Sequence, residues 1–188
     1  LVEDIKKDHE ASGIAVAIID KSGKTQYEKF WGVRDLESGK EVNGDTIFGL
    51  ASVTKSFTAL SIMQLEEKGI IDLDAPISQY IPEFTNKNQS KKVTVRHLLS
   101  HAGGFFPLPR ILVGNVAESL GLNEEKDGDF AYNDAVAQEG VKLVAERLDA
   151  QTKENGLNGQ PGEYLSYCND GFGLLSDITR RYGGEPSY

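Results

Sequence analysis

The chain is 188 residues long, with 29 acidic and 20 basic side chains and a formal net charge of -9. That balance excludes a surface built to neutralise nucleic-acid phosphates, because no basic stripe is available, and a solvated acidic face is its plain meaning. Length and a 39% hydrophobic content allow one domain with a real core, or two small lobes.

The single cysteine, Cys168, rules out an intrachain disulfide and is compatible with cytoplasm or export. No run of about 18 apolar residues is present to span a membrane as a helix. The sequence begins at Leu1 and not at Met, so a processed or trimmed start is expected, with any leader out of view.

In chain order, a short helix begins near Val2 and ends in the polar stretch Lys6 to Ser12. Ile14 to Ile19 is a short apolar run rich in β-branched residues and predicts a buried strand. Asp20-Lys21-Ser22-Gly23 is turn chemistry, and Thr25 to Val33 predicts a second strand, so the pair forms an antiparallel hairpin. Asp35 to Asn43 is a polar loop, and Thr46 to Leu50 is short and extended. Ser52 to Lys68 is a helix whose Val53, Phe57, Leu60 and Met63 recur at helical spacing and are expected to face the core, with Gly69 as its C′ residue.

Ile70 to Phe84 carries Pro76 and Pro82 and predicts irregular coil with one short helix. Thr94 is a cap for a helix from Val95 to about His101, closed by Gly103-Gly104. Phe105 to Asp129 gives no clear periodicity. Asp134 to Glu154 predicts a helix with Val136, Val141, Val144 and Leu148 on one side. A last helix starts near Asn169 or Asp170, uses Phe172, Leu174, Leu175 and Ile178, and closes at Gly183-Gly184. A two-stranded hairpin is marginal in water, so those strands are expected to need more sheet beside them.

The chemistry lies in two short patterns. Ser52-Val53-Thr54-Lys55 puts a hydroxyl and an amine three residues apart at the first turn of a helix, on one face. A serine is a poor nucleophile until a neighbouring group takes its proton. Leading backbone N–H groups of a helix have no partner and point outward, so the Ser52 amide is placed to stabilise an oxyanion. Tyr167-Cys168-Asn169 follows a Pro-Gly loop and precedes a helix, and it offers a phenol and a carboxamide to complete a proton relay and hold a substrate. Each pattern alone is common. Their bland versions are a serine cap beside a solvated lysine, and an aromatic beside an asparagine cap.

Four segments make the pair specific: Phe48-Gly49-Leu50-Ala51-Ser52-Val53-Thr54-Lys55-Ser56-Phe57-Thr58-Ala59; Leu65 to Pro76; Thr94 to Gly104, reading TVRHLLSHAGG; and Pro161 to Leu175, reading PGEYLSYCNDGFGLL. In this order they resemble the class C beta-lactamase and DD-peptidase superfamily of serine hydrolases, with Phe105 to Gln160 as the variable part. Tyr-x-Asn in place of Ser-Asp-Asn points to the class C-like branch. The resemblance implies a mixed α/β (α+β) beta-lactamase/transpeptidase-like fold, an antiparallel sheet flanked by helices plus a helical region over roughly residues 73–160. The whole of residues 1–188 would be one domain, incomplete at its C-terminal end.

By the same resemblance Ser52 would be the acylated nucleophile and Lys55 would hold its proton in a hydrogen-bond network. Tyr167 would act as general base and acid, and Asn169 would anchor the network and the substrate amide. An ionised phenol or neutral amine is unusual at pH 7, so these groups would titrate as a coupled set. Substrates would be small molecules or peptides: a beta-lactam, a D-alanyl peptide, another D-amino-acid amide or a small ester. No cofactor and no metal are implied. The family leans towards a periplasmic or extracellular setting, with cytoplasm left open.

The departure is the family's third element, Lys-Thr-Gly or His-x-Gly on a later strand. No lysine or histidine follows Asn169. Lys21-Ser22-Gly23 and His101-Ala102-Gly103 match its pattern in the wrong places and are decoys. The missing strand, and a second oxyanion amide with it, would lie in a remaining C-terminal segment, possible as a separate chain, and the chain alone is predicted to be inactive. An alternative function is a binding or sensor module of the same fold that acylates once or not at all. His97 and His101 lie four apart but lack a third ligand, which favours a packing role over metal. The acidic stretch Asn123 to Asp129 lacks EF-hand spacing and is expected to be a solvated loop.

Overall fold

The polar opening of the chain folds into α1 (Val2–Asp8), which buries none of its residues. The apolar run that follows is β1 (Gly13–Ile19), paired antiparallel with β2 (Thr25–Gly32) in the register Ile14 opposite Trp31, Val16 opposite Lys29 and Ile18 opposite Tyr27. Asp20 organises the turn: its carboxylate accepts from the Ser22 amide at 2.8 Å, the Lys24 amide at 3.0 Å and the Gln26 side chain at 2.7 Å. Gly32 closes the hairpin at φ +71°, where a Cβ would lie 2.1 Å from the Ser12 carbonyl oxygen, so only glycine fits.

The computed structural model describes residues 2–108, 113–127, 133–154 and 157–184. Two compact units are distinguished, Leu1–Ala51 and Ser52–Tyr188.

In the first unit the strand expected to be buried is only partly so: Ile14 and Val16 are half-buried, while Ile18 and Ile19 keep 56% and 61% of their surface, and no residue of β1 or β2 is fully buried. The sheet is two-stranded among the described residues. Val42 is the buried hydrophobic residue of this unit.

A 3-10 turn, Ala51–Val53, crosses from the first unit into the second and leads into α2 (Thr54–Glu67). The second unit continues through α3 (Val95–Leu99), α4 (Val113–Ser119), α5 (Glu124–Asp127), α6 (Asp134–Asp149) and α7 (Asn169–Tyr182). Of the acidic stretch expected as a loop, Glu124 to Asp127 is helical, and residues 128–129 lie outside the described ones. Residues 109–112 of the aperiodic region, and residues 130–132 after it, also lie outside the described ones. α6 ends at Asp149, five residues before the expected Glu154.

α7 is the hub, packed on α2, α3 and α6, while α4 packs on α6. Leu174, Leu175 and Ile178 on α7 are fully buried, each contributing about 1.5–3 kcal/mol of burial. The irregular segment from Ile71 to Phe84 supplies as much core as the helices do: Ile71, Leu73, Ala75, Ile77, Tyr80, Ile81 and Phe84 all join one cluster with them. Phe84 meets Phe105 edge to face at 5.9 Å.

α2 corrects the sequence expectation. Val53, Phe57, Leu60 and Met63 are 58%, 56%, 56% and 44% exposed, and the buried side carries Thr58, Ile62 and Leu65. The helix is apolar on two faces, so periodicity alone did not say which face packs. Caps behave as the sequence suggests: Thr94 and His97 form a reciprocal capping box on α3, and the Asn133 side chain accepts from the Ala135 and Val136 amides at 3.0 and 3.2 Å. No helix among the described residues is long and apolar enough to cross a membrane.

Candidate active site

Ser52 lies in the 3-10 turn that runs into α2, and Lys55 one turn on shares its face. The Lys55 ammonium donates to Ser52 Oγ at 3.2 Å. The Tyr167 hydroxyl, 115 positions further along the chain, is 2.7 Å from the same oxygen. Ala51, directly before the serine, sits at φ +45°, a left-handed conformation that alanine rarely adopts. Backbone strain of that kind clusters at functional sites, and nothing in the sequence announces it. The leading N–H groups of the turn have no carbonyl behind them in the helix.

Tyr167 is carried by the loop that enters α7, and this loop is tied to the segment after α3. Gly162 N–H donates to the Ala102 carbonyl, and Ser166 N–H to the His101 carbonyl, both at 2.8 Å. The Ser166 hydroxyl donates to the Phe105 carbonyl at 2.8 Å. Cys168 N–H donates to His101 Nδ1 at 3.2 Å. The Asp170 carboxylate accepts from the Leu108 amide at 2.9 Å. Gly104, at φ +80°, permits the close pass of the two segments: a Cβ there would lie 2.4 Å from the Gly159 carbonyl oxygen.

Electrostatically, the phenol of Tyr167 is held below its ordinary value near 10, by hydrogen bonding with Lys55 first and with Ser52 second. The Lys55 ammonium lies 5.0 Å from the Tyr167 ring centre and 5.7 Å from that of Phe172, so its charge rests among aromatic faces. Buried Cys168 has its thiol pushed up to about 11, chiefly by desolvation, and is inert at neutral pH.

Asn169 is the first residue of α7 and is exposed. Among the described residues, Ser52, Lys55 and Tyr167 form the hydrogen-bonded set, and the Asn169 carboxamide stands outside it. Lys21-Ser22-Gly23 occupies the β1–β2 turn, and His101-Ala102-Gly103 follows α3. His97 Nδ1 accepts from the Thr94 amide at 3.1 Å. No group of three or more His, Cys, Asp or Glu among the described residues is arranged to hold a metal ion.

An oxygen nucleophile with an ammonium on one side and an acidified phenol on the other can lose a proton, attack an acyl carbon and return the proton to a leaving group. Known proteins resemble the chain along much of its length. Esterase EstB of Burkholderia gladioli is 36% identical over 116 residues, covering 60% of this chain and 30% of that protein. The human mitochondrial serine beta-lactamase-like protein LACTB is 35% identical over 229 aligned positions, covering 98% of this chain and 42% of that protein. The octameric penicillin-binding protein homologue from Pyrococcus abyssi superposes with a TM-score of 0.75 at 29% identity, over 97% of this chain and 38% of that one. The match thus spans between 30% and 42% of the length of these relatives. The sequence model of the Beta-lactamase family matches residues 1–188, and the chain belongs to that family.

Proposed function

We propose that this chain carries the nucleophile half of a serine hydrolase that forms an acyl-enzyme on Ser52 from an ester or amide of a small molecule or peptide. The observation that carries the proposal is the convergence on one oxygen: Tyr167 at 2.7 Å and Lys55 at 3.2 Å from Ser52 Oγ. Tyr167, as phenolate, takes the serine proton while Oγ bonds to the acyl carbon. The Ser52 amide, at the head of the helix, stabilises the oxyanion that forms. Tyr167 then gives the proton to the departing nitrogen or oxygen, and the acyl group remains on Ser52. Water entering along the same path is deprotonated by Tyr167, and collapse of the second tetrahedral adduct frees the acid while Tyr167 returns the proton to Ser52 Oγ. Lys55 holds Oγ in place through the hydrogen bond that it donates. Asn169, two residues from Tyr167, is assigned to the substrate's amide.

An esterase and a serine beta-lactamase-like protein among the relatives support an acyl-transfer reading. The test is covalent labelling of the full-length protein with a fluorescent fluorophosphonate and a fluorescent beta-lactam, with Ser52→Ala as control. Labelling that Ser52→Ala abolishes is the expected result. Label that never leaves Ser52 would move the reading to a single-turnover sensor, and absence of Ser52-dependent label would remove it.

A further inference from the structure

The loop that carries Tyr167 is gripped at three consecutive residues by one side chain and its backbone. His101 accepts the Ser166 amide on its carbonyl oxygen at 2.8 Å and the Cys168 amide on ring Nδ1 at 3.2 Å. Between these two bonds its imidazole stacks on the Tyr167 ring, centroids 4.3 Å apart and planes 33° from parallel. The opposite neighbour is Phe172 on α7, at 5.0 Å and 39°. His101 itself is held at φ +54°, a left-handed conformation outside glycine's territory. Strain, two hydrogen bonds and two ring contacts therefore meet on a residue outside the hydrogen-bonded set of Ser52, Lys55 and Tyr167.

We propose that His101 is the positioning residue for Tyr167, a neutral imidazole platform whose protonation releases the phenol from Ser52. The inference rests on the reading of Tyr167 as the proton carrier for Ser52. An Nδ1 that accepts the Cys168 amide bears no hydrogen, which puts the ring proton on Nε2. Adding a second proton turns that contact into two donors facing each other at a buried amide. It also sets an imidazolium near the Lys55 ammonium.

The ring's surroundings leave the new charge unmatched. From α2 it meets Lys55; from the loop, Tyr167 and Cys168, whose thiol stays protonated; from α7, Phe172. His97 lines the same small cavity from α3, with its own Nδ1 committed to Thr94. Asp170, in the first turn of α7, is committed to the Leu108 amide and the Cys168 thiol. Burial first and Lys55 second hold the His101 ring below its ordinary value near 6.5, in agreement with a platform that works uncharged.

The experiment begins with unsubstituted protein. An NMR titration between pH 8 and 4.5 follows the His101 Cε1–H, the Cys168 amide and the Tyr167 ring signals. The expected result is one shared midpoint below 6.5 for all three. A His101 transition that leaves the Cys168 and Tyr167 signals in place would overturn the proposal. The second arm measures the rate of Ser52 labelling by fluorophosphonate against pH. Beyond the loss set by protonation of Tyr167 itself, wild type should lose rate by about a further tenfold per pH unit below the His101 midpoint. His101→Phe, which stacks but neither accepts nor titrates, should label more slowly at neutral pH and lack that acid limb. An unchanged limb in His101→Phe would also overturn the proposal. Absence of Ser52 labelling at every pH would strike the hydrolase reading instead, and the NMR arm would still decide the role of His101.

Discussion

The hairpin unit and the helical unit fold on different terms. Leu1–Ala51 is held by local hydrogen bonds, the turn around Asp20 and the β1–β2 ladder, while Ile18, Ile19 and Tyr27 remain exposed. Ser52–Tyr188 is held by burial: Ile62, Ile77, Leu148, Leu174, Leu175 and Ile178 are fully inaccessible in one cluster. Ser52, Lys55 and Tyr167 all belong to the second unit. The lesson is that this hydrogen-bonded set lies within the unit that holds the buried core.

The largest contrast is in core truncation. Leu175→Ala on α7 should lower stability by about 2–5 kcal/mol in urea denaturation, through lost burial and a cavity. Ile18→Ala in β1 should change it by less than about 0.5 kcal/mol, as an exposed site does. Similar costs at the two positions would erase the distinction between the units. A smaller effect is expected at the start of α3: Thr94→Ala removes the acceptor for the His97 amide and should cost about 1 kcal/mol by the same measurement.

Acid should separate the units by pH window. His97 and His101 both bind a proton less readily in the fold than their ordinary value of 6.5, burial being the first cause of each shift. The unfolded chain then carries more protons below 6.5, so the stability these rings supply is present above 6.5 and is lost as pH falls through their lower folded values. Asp20 is lowered from 3.8 to about 2, first by the Ser22 hydroxyl. Its contribution to the hairpin turn is present above 3.8 and disappears as pH falls through about 2. Residue-resolved hydrogen exchange should therefore weaken in the helical unit at a higher pH than in the β1–β2 turn. Simultaneous loss would contradict the assignment.

Much of this was legible in the chain. Ser-x-x-Lys at a helix start fixed the Ser52–Lys55 contact, because three residues along a helix share a face. Phe172, Leu174, Leu175 and Ile178 were readable as the buried side of α7, since polar residues fill its other side. The exposed face of α2 was not readable, because Val53, Phe57, Leu60 and Met63 repeat as regularly as the face that packs. Burial of β1 was misread for a different reason: an apolar run says what a strand prefers, and not whether a second layer covers it. The coil from Ile71 to Phe84 carries core residues with no period to reveal them. The left-handed Ala51 and the grip of His101 on the Tyr167 loop arise only when distant segments meet.

The most direct test of the central claim, that the Tyr167 phenol is the proton carrier for Ser52, is the rate of Ser52 labelling by fluorophosphonate in Tyr167→Phe, with the fold checked by circular dichroism. The account predicts a fall of about 100- to 10,000-fold, the usual range for loss of a general base. Labelling at the wild-type rate in a folded Tyr167→Phe protein would contradict it.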